Sequence, residues 1–214
     1  MTQTKCARTQ TGGEGGNARS LCLTVAENRL PLFFELLAQG FSLPLMVETS
    51  IRDVLCDQLG FCADYLAERI QTIFLDGKTV DDVAGAIVHD GSTLALSAAM
   101  PGVVGATMRR QGRYAAMRQA ISHRPADAPT APRQGRITLK LFNLLASEKG
   151  AAFLRQGVTV QGRDLHALLQ RQGAAFWSDC HECRLDGRPV SPQQLLAANL
   201  EAGPLTLMVQ TAPA

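Results

Sequence analysis

The sequence predicts an α+β protein made of two copies of one small unit. Three observations carry that prediction. A phrase is written twice: Leu75-Asp76-Gly77-Lys78-Thr79-Val80 returns 110 residues later as Leu185-Asp186-Gly187-Arg188-Pro189-Val190. Two further matches keep the same order, 50–59 (SIRDVLCDQL) with 161–170 (QGRDLHALLQ) at an offset of 111, and 33–38 (FFELLA) with 141–146 (LFNLLA) at 108. Offsets that drift by a residue or so are what loop insertions leave after a duplication. Within each copy, stretches of strand period alternate with stretches of helical period.

The second copy is the easier to read. Residues 136–146, RITLKLFNLLA, alternate Ile137, Leu139 and Leu141 with Thr138 and Lys140, the pattern of a strand with one buried face. Residues 157–160, GVTV, form a second short strand. The next stretch, 162–172, spaces Leu165, Leu168 and Leu169 along one helical face, with Asp164 near the positive N-terminal end and Gly173 as the stop. Leu185-Asp186-Gly187-Arg188 is a hairpin turn between short strands. A helical turn over 191–200 and a closing strand over 203–210 complete the unit. In the first copy the same order predicts strands at 30–34 and 45–48, one helix over 50–69, a hairpin at 73–80 and a last strand at 92–98.

Between the copies, 105–120 (GATMRRQGRYAAMRQA) reads as a helix with Tyr114, Met117 and Ile121 on one face, weakened at Gly112 by about 1 kcal/mol relative to alanine. Pro125, Pro129 and Pro132 follow, the composition of a semi-rigid linker. The chain thus divides into a disordered tail (1–19), a first repeat (20–105), the basic helix and Pro-containing linker (106–134) and a second repeat (135–214).

Composition narrows the function classes. The 21 Lys+Arg against 19 Asp+Glu leave a net charge of +2, too small to imply nucleic acid or an anionic membrane. No apolar run approaches the ~18 residues of a membrane span. The tail is rich in Gly, Thr and Gln and has no apolar stretch, so it is not expected to be a signal peptide. Cys6, Cys22, Cys56, Cys62, Cys180 and Cys183 are accordingly expected to be reduced, and the expected compartment is the cytoplasm.

Strand, strand, helix, hairpin and last strand is the β-grasp order. Each copy resembles a ubiquitin-like β-grasp domain, a mixed sheet with one packed helix, closest to the small sulfur carriers of molybdopterin and thiamine biosynthesis. Residues 50–55 resemble that family's "TVRDLL" helix start, 75–80 its "VNGxxV" hairpin, and 89–105 its "DGDxVxLxPPVxGG" ending. The resemblance implies a carrier whose C-terminal Gly-Gly is adenylated and then made a thiocarboxylate. The sequence departs from it there. Pro101-Gly102-Val103-Val104-Gly105 runs on into Ala106, and the second copy ends Thr211-Ala212-Pro213-Ala214. Carrier chemistry is therefore expected only if the chain is processed after Gly105; otherwise Gly102 and Gly105 serve turn geometry.

Cys180-His181-Glu182-Cys183 is the best chemical candidate. A Cys-x-x-Cys pair with an interleaved histidine is a half-site for zinc or a redox dithiol. No second such pair exists, and residues three apart on a regular strand face opposite ways, so the thiols converge only if the strand is interrupted. A metal site at Cys180, His181 and Cys183, with Cys62 drawn in by packing of the repeats, is set against thiols that only pack. Arg109, Arg110, Arg113, Arg118 and Arg124 make the most basic stretch, a candidate surface for a protein partner or an anion, with RNA less favoured. His89, His123 and His166 have no catalytic partner at a known spacing. Asp81-Asp82 is read as a cap, and Phe176 and Trp177 as core of the second copy. The expected function is that of a non-enzymatic interaction or adaptor protein.

Overall fold

The computed structural model describes residues 19–100, 102–110, 112, 122–123 and 131–212. Among them the architecture is mixed α+β, with one ten-stranded mixed sheet and a separate two-stranded one. The strands are β1 (Ser20–Val25), β2 (Phe41–Val47), β3 (Thr49–Ser50), β4 (Thr72–Leu75), β5 (Lys78–Thr79), β6 (Ile87–Val88), β7 (Thr93–Ser97), β8 (Arg133–Phe142), β9 (Val158–Gln161), β10 (Cys180–Leu185), β11 (Arg188–Pro189) and β12 (Pro204–Thr211). The large sheet runs β11-β10-β1-β12-β9-β2-β8-β7-β4-β5, and β3 pairs with β6.

The central strands bury one face only. Leu21, Leu23 and Val25 of β1, Leu94 and Leu96 of β7, Ile137, Leu139 and Leu141 of β8, and Leu205, Leu207 and Val209 of β12 are all buried, while their alternate neighbours, except Ser97 at the end of β7, are not. That alternation requires the helices to cover the apolar face. Helix α1 (Phe34–Gln39) packs on β8, and α4 (Leu144–Gln156) packs on β12, β8 and α1. Gly150 lets α4 approach α1: a Cβ there would lie 2.8 Å from Leu37 Cδ1 and 2.9 Å from Phe34 Cε1. Phe41 and Phe153 rings meet at 5.3 Å in the same core.

Several expected elements take a different form. Residues 30–34 are helical, within a 3₁₀ segment (Glu27–Phe33) that runs into α1. The reason is their period: Leu30, Phe33, Leu36 and Leu37 are buried at helical spacing, and the first strand is β1 instead. In the second copy the strand stops at Phe142 and α4 begins two residues later, with Gly40 (φ 122) and Gly157 (φ 96) closing the two corresponding helices. The single helix expected over 50–69 is broken. A capping box between Ser50 and Asp53 starts α2 (Ile51–Asp53), which continues as a π-helical turn (Val54–Gln58). Gly60 (φ 70) interrupts it before a second such turn, Tyr65–Arg69. Both Asp-Gly hairpins appear as expected, with positive φ at Asp76 and Gly77 and at Asp186 and Gly187, the two-residue geometry that suits strand twist.

The two segments read from the sequence as copies do not keep their own strands. β1, from the first copy, lies between β12 and β10 of the second, parallel to β12 and antiparallel to β10. β8, from the second copy, lies between β2 and β7 of the first, antiparallel to β2 and parallel to β7. The two groups of strands meet at β2 and β9, through Ser42 and Thr159. The remaining helices are α3 (Gly102–Met108), α5 (Gly162–Gln170), α6 (Ala174–Ser178) and α7 (Pro192–Ala197), the last opened by a Ser191–Gln194 capping box. No helix among the described residues is long and apolar enough to cross a membrane.

Candidate functional site

The glycine-containing ending of the first copy begins a helix rather than a tail. Gly102, the first residue of α3, has φ 80, a conformation glycine holds without strain. Gly105 is buried, and a Cβ there would sit 2.2 Å from the Met100 carbonyl oxygen, so only glycine lets the helix fold back this closely. The expected turn role is met at Gly102, and Gly105 supplies close packing. Within the described residues α3 ends at Met108, so the helix expected over 105–120 starts earlier and stops sooner; residues 111 and 113–121 lie outside the description.

This packing leaves α3 with apolar side chains in water. Val103 is 82% and Val104 67% exposed. Two more large apolar residues, Phe142 (36%) and Leu144 (44%), lie at the same end of the sheet, where the parallel strands β7 and β8 finish. Phe142 is the cross-strand neighbour of Ser97, and the Asn143 Nδ2 amide donates to Ser97 Oγ at 3.2 Å, fixing that corner. The far end of α3 is anchored too. Arg110 N donates to Gln71 O at 2.7 Å, and Arg110 Nη1 donates to Leu66 O and Ile70 O at 3.1 and 3.2 Å. These acceptors lie at the C-terminal end of the Tyr65–Arg69 turn, where a cation is favoured.

Arg110, a predicted anion ligand, is thus half-buried and occupied in holding the chain together. Desolvation holds its pKa below the ordinary arginine value, against the charge of Asp81. It lines an open cleft of about 500 Å³ with Arg52, Leu66, Asp81 and Asp82, a mixed-charge wall with no bias toward an anion. Arg109 is exposed beside it, whereas Arg113 and Arg118 lie outside the described residues. Asp82 does cap, as expected, but it caps a turn: its Oδ1 accepts from Ala84 N and Gly85 N, each at 3.0 Å.

On β10 the structure supplies the interruption that a converging thiol pair needs. Cys183 lies opposite Leu23 and Glu182 opposite Thr24, but Val25 faces Cys180, so His181 is an extra residue in a β-bulge. Leu23 and Val25 share a face of β1, hence Cys183 and Cys180 share that face of β10. Cys183 is buried, Cys180 is partly exposed, and the exposed His181 does not join them. The pairing of the two thiols lowers the pKa of Cys180, while that pairing and burial push Cys183 up. The sulfhydryl of Cys180 also lies 3.6 Å from Glu182 O. Cys62 is a neighbour of Cys56 and not of this pair. Among the described residues no three His, Cys, Asp or Glu side chains form a metal-holding group, so the three-donor site expected at Cys180, His181 and Cys183 is not assembled.

Two arrangements had no signal in the sequence. Glu48 adopts φ 62, rare for a residue with a Cβ, and its carboxylate, 9% exposed, lies 2.9 Å from His89 Nδ1. This orients the half-exposed imidazole. His166 sits between Glu201, 2.9 Å from Nδ1, and the Leu196 carbonyl, 3.1 Å from Nε2. The Glu201 hydrogen bond raises the His166 pKa against partial desolvation. Phe176 is buried and meets Phe33 at 6.2 Å, so this anchor ties the second copy to the first. In comparisons with family models, with curated proteins and with solved structures, nothing matches this chain.

Proposed function

We propose that this is an interaction protein that docks a protein partner at the end of the sheet carrying Val103, Val104, Phe142 and Leu144. One observation carries the reading: the chain fixes a short helix at both ends and yet turns two adjacent valines into water. Burying such side chains gains about 25 cal/mol per Å² removed from water, so leaving them out forgoes stability that a partner recovers. The partner is a polypeptide with an apolar anchor and acidic flanks. The exposed Arg109 on the segment that follows the valines, and Arg113, Arg118 and Arg124 further along the sequence, support that choice by charge complementarity.

In this reading the scaffold is a pair of ubiquitin-like β-grasp units with exchanged first strands. The strand groups β2-β8-β7-β4-β5 and β9-β12-β1-β10-β11 support it in that each places a parallel central pair between an antiparallel neighbour and a hairpin, although the closing strand β7 adjoins the hairpin in the first group and the exchanged strand β1 does in the second. A sulfur-carrier ancestry is compatible with the repeated phrase, with the carrier ending recast as α3.

The test is enrichment by the tag-purified full chain from its own cells, run beside a Val103→Asp/Val104→Asp variant of the same chain. A protein retained by the parent and lost from the variant, while Cys62→Ser retains it, supports the proposal. Equal retention by all three chains overturns it.

A further inference from the structure

We propose that Cys180 and Cys183 form a reversible thiol–disulfide couple, exchanging with a low-molecular-weight disulfide. The argument begins with the bulge. Without the extra residue His181, positions 180 and 183 face opposite sides of β10; with it, both side chains stand on the face shared by Val25 and Leu23. Leu23 and Val25 are about 6.6 Å apart along β1 at about 3.3 Å per residue. The cysteines opposite them keep about that spacing, which sits near the upper end, about 6.8 Å, of the Cα separations a disulfide spans. Closure therefore requires the bulge to tighten until the Cβ atoms come within about 4.5 Å, which costs strain, the property of a labile bond and not of a permanent staple.

Burial assigns the order of events. Cys180 is partly exposed and Cys183 is buried, so a small disulfide RSSR meets Cys180 first. The Cys180 thiolate attacks one sulfur of RSSR; a Cys180–S–S–R bond forms and RS⁻ leaves. Cys183 then gives up its proton and attacks the Cys180 sulfur, forming the Cys180–Cys183 bond and expelling the second RS⁻. The protein loses two electrons and two protons, and RSSR becomes two RSH. The neighbouring Cys183 sulfhydryl lowers the Cys180 pKa and so favours the thiolate that the first step uses.

The experiment uses the full wild-type chain, equilibrated without oxygen in buffers of graded reduced and oxidised glutathione, then acid-quenched and alkylated. Trypsin releases residues 172–184, a peptide holding both cysteines and no other. The expected result is that this peptide loses both alkyl labels together, two mass units below the dithiol form. It does so at a ratio where Cys22, Cys56 and Cys62 are still labelled, and a thiol reductant restores it. A Cys183→Ser chain stops at the glutathione adduct on Cys180. The assignment is overturned if the wild-type peptide keeps two labels at the most oxidising ratio, or if it ends as a stable Cys180 adduct with Cys183 alkylated. Stoichiometric zinc that protects both thiols overturns it as well.

Discussion

Replacing Leu23 by alanine asks whether the first strand of one copy holds the other copy together. Leu23 is fully buried and sits in β1 between Cys183 of β10 and Val209 of β12. Truncating a buried leucine costs about 2–5 kcal/mol, the spread reflecting how far the cavity collapses. A central strand flanked on both sides collapses little, so we expect about 3 kcal/mol, a large part of the ~5–15 kcal/mol that a folded chain holds in total. At roughly 2–4 °C per kcal/mol for a chain of this size, the unfolding midpoint falls by about 6–12 °C. Calorimetry reads the shift, and hydrogen exchange reads where protection is lost. The account predicts the largest loss in 180–185 and 204–211, which β1 joins. If the loss falls instead on 41–47 and 93–97, the strands of its own copy, or if the midpoint moves less than about 2 °C, the exchanged topology is wrong.

Three other expectations are independent of this one. Because Val103 and Val104 are exposed, their double replacement by aspartate leaves the unfolding midpoint nearly unchanged, within about 0.5 kcal/mol per site; a large thermal shift shows instead that α3 is packed against the fold. Gly162→Ala places a Cβ 1.8 Å from Leu200 O and 2.6 Å from Gly203 O, so backbone must move and chemical denaturation should record a loss of about 1–3 kcal/mol. The Glu201 hydrogen bond raises the His166 pKa, so its folded pKa lies above its unfolded one. Its stabilisation is full below the ordinary value near 6.5 and is lost as pH rises through the raised folded pKa. Stability measured upward from about pH 6 should therefore decline more in the parent than in His166→Gln, and NMR titration of the ring should give the raised value directly.

Much of the element order was legible because short-range chemistry dictates it. The two Asp-Gly hairpins follow from residues that tolerate positive φ, and β8, β9, α5, β11 and β12 follow from period and turn residues. The first strand of the first copy was misplaced because LPLFFELLA is apolar enough to read as a strand, while its buried positions recur at helical spacing. What sequence pattern did not carry was pairing. Nothing in SLCLTV says that β1 inserts between β10 and β12, since strand partners are chosen by long-range packing. The candidate sites divide the same way. Cys180 and Cys183 were visible as a motif, but the bulge that unites them arises from the register against β1. Val103 and Val104 looked like the ending of a small carrier domain, and only the close contact of Gly105 with Met100 turns them outward. Glu48 and His89 are 41 residues apart and meet through β3 and β6.

The central claim is that the end of the sheet bearing Val103 receives a protein partner. Its most direct test is a photo-crosslinking amino acid placed at Val103 in the full chain, in living cells, beside the same probe at the exposed Ser178. The account predicts one discrete adduct from position 103, of a mass different from two copies of this chain, that disappears when Val104 is also made aspartate and is absent from position 178. No adduct at 103, a smear equal to that from 178, or an adduct of the mass of two chains would contradict it.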